Sequence, residues 1–256
     1  MIKLSIVTAT YNRIEELKKN IKSVAAQSFK DKEHIVIDAL STDGTDKLIS
    51  DYKKEVDYPV IYIREKDKGT YDAFNKGIKI ASGEWIHILN SDDYYFNNEN
   101  LGTILKGDYK NIDVLACAIL VKNIDTNCND GSLNAPSYND KIKYYNFPHP
   151  GMIVKKDFYE ANGLYNIKYK IISDAIFVLQ HMPKAKYIIN KMPLVAMDIR
   201  GISNKISFRR TYERLVCLFY YYKFPLGYKI KSVFLILYYD MILLLILIKG
   251  RLKKTL

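Results

Sequence analysis

Through the first ninety residues, apolar runs alternate with stretches in which apolar residues recur at helical spacing. Ile2 to Val7 reads as a buried strand, and Ile14, Leu17, Ile21 and Val24 follow at intervals of three or four, as on one helix face. His34 to Asp38 is a second apolar run. Behind it stand the turn formers Ser41-Thr42-Asp43-Gly44-Thr45 and a short helical pattern through Leu48, Ile49 and Tyr52. Val60 to Ile63 supplies a third strand, and Tyr71, Phe74, Ile78 and Ala81 a third helical face. Trp85 to Leu89 is a fourth strand, ending at Asn90-Ser91-Asp92-Asp93. This alternation predicts an α/β fold, a Rossmann-like, mainly parallel sheet flanked by helices.

After residue 105 the rhythm becomes irregular. Ile112 to Val121 reads as a strand, and the polar stretch Asn123 to Asn139 as an inserted loop or hairpin. Lys155 to Asn162 and Asp174 to Met182 read as short helices, with strands near Tyr187 to Ile189 and Leu194 to Met197. From about Arg209 the character changes again, because Leu215 to Tyr222 and Val233 to Ile248 are strongly apolar with basic residues between and after them. The expected organisation is one main domain over 1–208, with a nucleotide-binding part (1–105) and an acceptor-side part (106–208), followed by a helical extension over 209–256.

Composition narrows the classes. With 48% hydrophobic and 26% charged residues among 256, the chain is globular and near the size of one large core. A net charge of +11 favours anionic partners without choosing among nucleotide phosphates, nucleic acid and an anionic membrane. Cys117, Cys128 and Cys217 have neither disulfide nor zinc spacing, which fits a reducing, cytoplasmic setting. Met1 leads straight into the first strand without the features of a secretory signal, so the N-terminus reads as the start of the domain.

In an open α/β sheet, ligands bind beyond the carboxyl ends of the strands, and every candidate in the first ninety-odd residues stands at such an end. Thr8-Ala9-Thr10-Tyr11-Asn12-Arg13 offers an aromatic face, amide groups and a cation, or a simple helix cap. Asp38, with Ser41, Asp43 and Gly44 behind it, offers carboxylates and hydroxyls to a nucleoside, or a turn. Asp72 and Asn75 follow Asp67-Lys68-Gly69 and share a helix face that can point into a cleft, or belong to a solvated capped helix. Asp92 and Asp93 present hard oxygens suited to Mg²⁺ or Mn²⁺ bridging a diphosphate, or a surface turn.

Taken in order, TATYNR, D-x-x-S-T-D-G-T, D-K-G-T-Y-D-A-F-N-K-G and N-S-D-D resemble the family 2 glycosyltransferases of GT-A fold across roughly residues 1 to 100, and more weakly to about 205. The resemblance implies a nucleotide-sugar donor, UDP-linked by preference, held by Ala9, Tyr11, Asp38 and Asp92, to which the reading of the residues adds Arg13, Gly69, Asp72 and Asn75. It also implies a divalent cation. The family's first acidic position is Asn90 here, which moves the metal chiefly to Asp93. His149-Pro150-Gly151 and Ile172-Ser173-Asp174 also match, implying His149 on the acceptor or phosphate side and Asp174 as general base, against the plainer readings of a turn histidine and a helix N-cap. Inversion at the anomeric carbon and a glycan or lipid-linked acceptor in bacterial polysaccharide assembly come with the resemblance.

Rival readings are few. A nicotinamide oxidoreductase would carry G-x-G-x-x-G in its first turn, where this chain has T-A-T-Y-N-R. The 22 tyrosines and basic charge suit a nucleic-acid-binding module, but the basic residues are dispersed and no such motif occurs, so no nucleic-acid partner is expected. A transferase-like subunit without catalysis stays open. Val233 to Ile248 falls short of the roughly 20 apolar residues of a membrane span and contains Asp240. A helix at the anionic inner face of the cell membrane is expected, or one packed on protein.

Overall fold

A computed structural model of the chain describes residues 3–122, 132–141, 144–198, 207–222 and 226–252. The first four strands are β1 (Leu4–Thr10), β2 (Lys32–Asp38), β3 (Val60–Arg64) and β4 (Trp85–Ile88), alternating with α1 (Ile14–Ala25), α2 (Thr45–Glu55) and α3 (Thr70–Ile80). The strands lie parallel in the order β3-β2-β1-β4, as successive βαβ units require.

Both faces of this sheet are covered, which explains why β1, β2 and β4 have no solvent side. Leu4, Ile6, Val36 and Trp85 pack in one layer with Leu17, Ile21 and Val24 of α1 and Ile49 and Tyr52 of α2. Val7, Ile35, Ile37, Ile86 and Ile88 join Tyr71, Phe74 and Ile78 of α3 in the other. Each such side chain contributes about 1.5–3 kcal/mol by leaving water.

Polar side chains inside the strands are paired. Thr8 gives its hydroxyl proton to the Leu89 carbonyl at 2.8 Å, so His34 Nε2–H donates to Thr8 Oγ1 at 3.0 Å. His34 Nδ1 then accepts from the Tyr52 hydroxyl at 3.0 Å. Burial lowers the His34 pKa to about 3 and keeps the ring neutral.

Beyond β4 come β5 (Tyr94–Tyr95), α4 (Asn100–Leu105), β6 (Val114–Lys122), β7 (Ser132–Asn134), β8 (Ser137–Asn139), β9 (Tyr144–Asn146), β10 (Met152–Lys155), α5 (Lys156–Asn162), α6 (Ser173–His181) and β11 (Tyr187–Asp198). Here the sheet becomes mixed: β10 runs antiparallel between β4 and β6, β11 lies parallel to β6, and β5 pairs antiparallel with β11. The polar insertion yields β7, which returns along β6, and the separate ribbon β8–β9; residues 123–131, including Cys128, lie outside the described residues. The two strands expected at 187–189 and 194–197 are one strand. Its register shifts on either side of Pro193, which has no N–H to offer the ladder. Cys117 and Cys217 are buried thiols, each pushed up to about 12 by burial and so held in the unreactive protonated form.

The C-terminal part consists of α7 (Phe208–Val216), a π-helical turn over Cys217–Tyr221 and α8 (Leu226–Leu252). The first part of the extension expected from residue 209 packs on the main domain. Cys217 packs with Ile172 and Ile176, Tyr169 and Tyr221 share a hydroxyl hydrogen bond of 3.3 Å, and Glu213 reaches the segment before α6. Packed structure therefore continues to Tyr222. Along α8, Phe234, Leu235, Leu237, Tyr238 and Met241 are exposed. Among the described residues no helix is long and apolar enough to cross a membrane.

Candidate active site

Parallel pairing brings the carboxyl ends of β1, β2 and β4 to one edge, with Thr10 in register with Asp38 and Val7 with Ile88. There the surface opens into a cleft of about 750 Å³, the size of an ordinary small-molecule site. Ala9, Tyr11, Arg13, Gly69, Asp92, Asp93, His149 and Asp174, separated by up to 165 residues of sequence, all line it.

One wall is made by the loops after β1 and β2, which fasten each other. Asn12 N–H donates to Ser41 Oγ at 2.9 Å, and Asn12 Oδ1 accepts from Thr42 N–H at 2.8 Å. Asp43 accepts the Ile14 N–H at 2.9 Å and the Thr45 hydroxyl at 2.7 Å, so it caps the start of α1 from the neighbouring loop. Burial alone would raise the Asp43 carboxyl; the hydrogen bonds from Thr45 and the Ile14 amide outweigh it and hold the pKa below the ordinary value. Leu40, at φ 64°, sits in the left-handed region that a branched side chain rarely adopts, and it faces the cleft.

Asp38 stands behind the cleft wall. Its carboxylate is fully buried: Oδ1 accepts from Ser41 N–H and Oγ–H, and Oδ2 accepts from the Tyr62 hydroxyl at 2.7 Å with Arg64 Nε 3.6 Å away. It shapes the Ala39-Leu40 wall and does not itself line the cleft.

The acidic turn forms the floor. Asn20 of α1, itself buried, donates to the carbonyls of Asn90 and Asp93 at 2.9 and 3.1 Å, and so fixes the turn to a rigid helix. Asn90 Nδ2 donates to Asp93 Oδ2 at 2.7 Å. An aspartate at position 90 could not make this donation. Asp92 is partly exposed and lies 3.3 Å from Arg13 Nη1.

Two carboxylates at the floor of an open cleft suit a hard divalent ion that completes its shell with ligand oxygens, as Mg²⁺ does with one or two carboxylates and a substrate phosphate. Among the described residues no group of three His, Cys, Asp or Glu side chains forms a self-sufficient metal site.

The loop into α3 forms a third side. Asp67 Oδ1 accepts from Gly69 N–H at 2.8 Å, and Asp72 Oδ2 accepts from Lys68 N–H at 2.9 Å. Gly69 has φ 115°, and a Cβ there would lie 3.3 Å from Lys170 Cδ; only glycine combines that backbone with that approach. Lys170 crosses over it, its ammonium donating to the carbonyls of Lys68 and Ile167. Asp72 and Asn75 share a helix face as expected, but neither lines the cleft. Asp72 caps its own loop and pairs with Lys76 at 3.8 Å, and Asn75 exchanges two hydrogen bonds with the Tyr165 backbone.

Asp174 enters from α6. Its Oδ1 accepts the Tyr71 hydroxyl at 2.8 Å, a proton shared with the Ile171 carbonyl at 2.9 Å. Burial and then the nearby Asp174 charge hold Tyr71 well above its ordinary pKa, so it remains a donor. His149 stacks on Phe74 at 5.7 Å and meets the Tyr165 hydroxyl at 3.1 Å, and burial lowers its pKa, favouring the neutral ring. Behind it, His87 Nε2–H donates to the Pro150 carbonyl at 2.9 Å while Nδ1 accepts from Tyr95. Gly151 packs so closely that a Cβ would lie 2.2 Å from the Cys117 carbonyl oxygen.

Three contributors escape a reading of the sequence. Lys66 and Lys170 add cations to the cleft; Lys66 stands beside a motif, but nothing local marks Lys170. Glu213 of α7 is buried and accepts the backbone N–H groups of Lys170 and Ile171 at 2.9–3.0 Å, bracing the segment that leads to Asp174.

Residues 5–168 match the model of a family described as Glycosyl transferase family 2. A PGL/p-HBAD biosynthesis glycosyltransferase of Mycobacterium bovis (strain BCG / Pasteur 1173P2) is 24% identical over 216 residues, covering 82% of this chain and 83% of the relative. The crystal structure of S. aureus TarS 1-349 in complex with UDP-GlcNAc superposes with a TM-score of 0.65 at 20% identity, covering 90% of this chain and 70% of that one. The mannosyltransferase PcManGT from Pyrobaculum calidifontis, in complex with GDP-Man and Mn²⁺, gives 0.63 at 15% identity, covering 93% and 69%.

Proposed function

The chain belongs to glycosyl transferase family 2 and is a glycosyltransferase of GT-A fold, and from that premise we propose that it transfers a sugar, with inversion, from a UDP-sugar to a hydroxyl of a glycan or lipid-linked acceptor. The observation that carries this reading is that Asp174 and the acidic turn line one cleft that also holds Arg13, Lys66 and Lys170. The three cations suit a diphosphate, and the exposed ring of Tyr11 at the wall suits a base. The neighbours solved with UDP-GlcNAc and with GDP-Man and Mn²⁺ support a nucleotide-sugar donor.

Asp93, with Asp92, would hold a divalent cation, which when bound neutralises charge on the departing diphosphate. Asp174 accepts the acceptor hydroxyl's proton, because a sugar hydroxyl is a poor nucleophile until that proton is taken; a positioned carboxylate contributes about 10²–10⁴-fold. Tyr71 orients that carboxylate through Oδ1. Asp38, Asp72 and Asn75 act through the loops they hold.

A thermal-shift screen of nucleotide sugars with Mn²⁺ tests the donor. A ligand at a hundred times its Kd stabilises by about 2.7 kcal/mol, so one nucleotide sugar raises Tm and is consumed; a flat screen counts against the donor reading. Binding without turnover would instead favour a non-catalytic subunit.

For α8, the exposed Phe234, Leu235 and Leu237 with Lys229 and Lys231 nearby support attachment to an anionic membrane surface. Such attachment would suit a lipid-linked acceptor at the inner face of the membrane. Sedimentation with anionic liposomes should retain the full chain and release a version ending at Tyr222. Equal recovery of both in the supernatant would count against it.

A further inference from the structure

Arg13 stands where two loops lock together, with a fixed backbone and a side chain at the cleft. Before it, Asn12 is bound to Ser41 and Thr42; after it, the Ile14 N–H is held by Asp43. Its own carbonyl accepts the Leu17 N–H at 2.9 Å and opens the first turn of α1. The guanidinium has two carboxylates in reach of the same nitrogen, Nη1: Asp92 Oδ2 at 3.3 Å and Glu16 Oε1 at 3.6 Å. These two differ. Asp92 lines the cleft and belongs to the turn that Asn20 pins by the carbonyls on either side of it. Glu16 lies three residues along α1 from Arg13 and is the more exposed of the two. Lys170 is engaged in another way, its ammonium resting on the carbonyls of Lys68 and Ile167.

We propose that Arg13 couples the nucleotide diphosphate to the divalent cation. Its guanidinium competes with the cation for Asp92 and is drawn off by the diphosphate, so that each ligand strengthens the binding of the other. The inference rests on the donor and cation reading above. A cation at Asp92 meets a positive guanidinium and contends for an oxygen that Arg13 already uses, which holds down its affinity when no nucleotide is bound. A diphosphate offers the planar guanidinium two parallel charge-assisted hydrogen bonds, a better partner than one 3.3 Å contact. The diphosphate also brings its own oxygens to the cation's shell. Glu16 favours the exchange, because it keeps a carboxylate beside the guanidinium once Asp92 is given up. Such coupling is reciprocal: the factor by which UDP tightens the cation equals the factor by which the cation tightens UDP.

The test measures this linkage on the full chain with Mn²⁺ and UDP as probes. The electron paramagnetic resonance signal of free Mn²⁺ reads Mn²⁺ binding with and without saturating UDP, corrected by a protein-free blank for the Mn²⁺ that UDP binds in solution. Calorimetry reads UDP binding with and without Mn²⁺. In the unaltered chain the two coupling factors should agree and reach at least about fivefold, the lower end for linked sites. Arg13→Gln should bind Mn²⁺ alone about two- to fivefold tighter, and its coupling factor should fall toward one. Arg13→Lys keeps the charge without the fork and should lie between. Glu16→Gln, at a partly exposed position, should move the other way and weaken Mn²⁺ alone about twofold. A merely structural Arg13 would change Tm and leave the coupling factor where it was. An unchanged factor in Arg13→Gln, or Mn²⁺ alone bound more weakly there, would overturn the linkage. Absence of UDP binding in the unaltered chain would bring down the donor reading, and UDP binding indifferent to Mn²⁺ the cation reading, in either case taking the linkage with it. Those failures show in the unaltered chain, whereas a failure of the Arg13 role shows only in the variants.

Discussion

The two sides of the cleft are built in different ways. On the donor side, loops that are neighbours in the sheet hold each other: Asn12 grips Ser41 and Thr42, Asp43 caps α1, and Asn90 steadies Asp93 three residues away. The acidic turn is in addition held across 70 and 73 residues by Asn20 of α1, and on the acceptor side the longest fixing bonds span more still. Tyr71 reaches Asp174 across 103 residues, Asn75 ties down Tyr165 across 90, and Glu213 braces Lys170 and Ile171 from a helix beyond the last strand. The contrast separates a proposed binding surface, fixed mainly among loops that meet at one sheet edge, from a proposed catalytic group that only the completed fold can aim.

The largest effect should come from Asp174→Asn, which keeps the shape but cannot accept a proton. Turnover should fall by about 10²–10⁴-fold while UDP affinity barely changes. Near-normal transfer in a steady-state assay, or retained anomeric configuration by NMR, would remove Asp174 or inversion from the account and erase the contrast.

A smaller effect is expected from Glu213→Ala, which leaves the Lys170 and Ile171 N–H groups without their acceptor at a cost of about 1–3 kcal/mol each. If Glu213 aims the base, kcat drops several-fold with UDP affinity held, and Glu213→Gln, which still offers one oxygen, recovers part of it. A lower Tm with unchanged kcat would make Glu213 a purely structural prop.

The smallest is a slope with pH that belongs to the donor-side sheet. Burial lowers His34 to about 3 and His87 to about 4, both below the ordinary 6.5. Below about pH 6.5 the unfolded chain therefore binds more protons than the folded one, and stability falls as pH drops toward 4. Each group adds up to about 1.4 kcal/mol per pH unit. His87→Gln should flatten the decline of Tm between about pH 6.5 and 5; an unaltered slope would mean that His87 is not buried and neutral.

Much of the donor side was legible beforehand because its signals are periodic and local. Buried strands and amphipathic helices alternate, and side chains at strand ends must meet at one edge of a parallel sheet. Position within that edge was less legible. Asp38 and Asn75 are polar residues in motif positions, yet their hydrogen bonds are spent on Ser41, Tyr62 and Tyr165 and are not presented to the cleft. Motif spacing does not reveal which way such a side chain is satisfied. Beyond residue 105 the strands turn antiparallel and the elements shorten, so periodicity weakens. Lys170 and Glu213 carry no local mark.

Calorimetric titration of UDP with Mn²⁺ into the unaltered chain and into Asp93→Ala tests the central claim, that the acidic turn floors a nucleotide-diphosphate site, most directly. The account predicts one saturable site that weakens at least about tenfold, near 1.4 kcal/mol, in Asp93→Ala and equally on adding EDTA to the unaltered protein. Identical UDP binding in both proteins, undisturbed by EDTA, would contradict it.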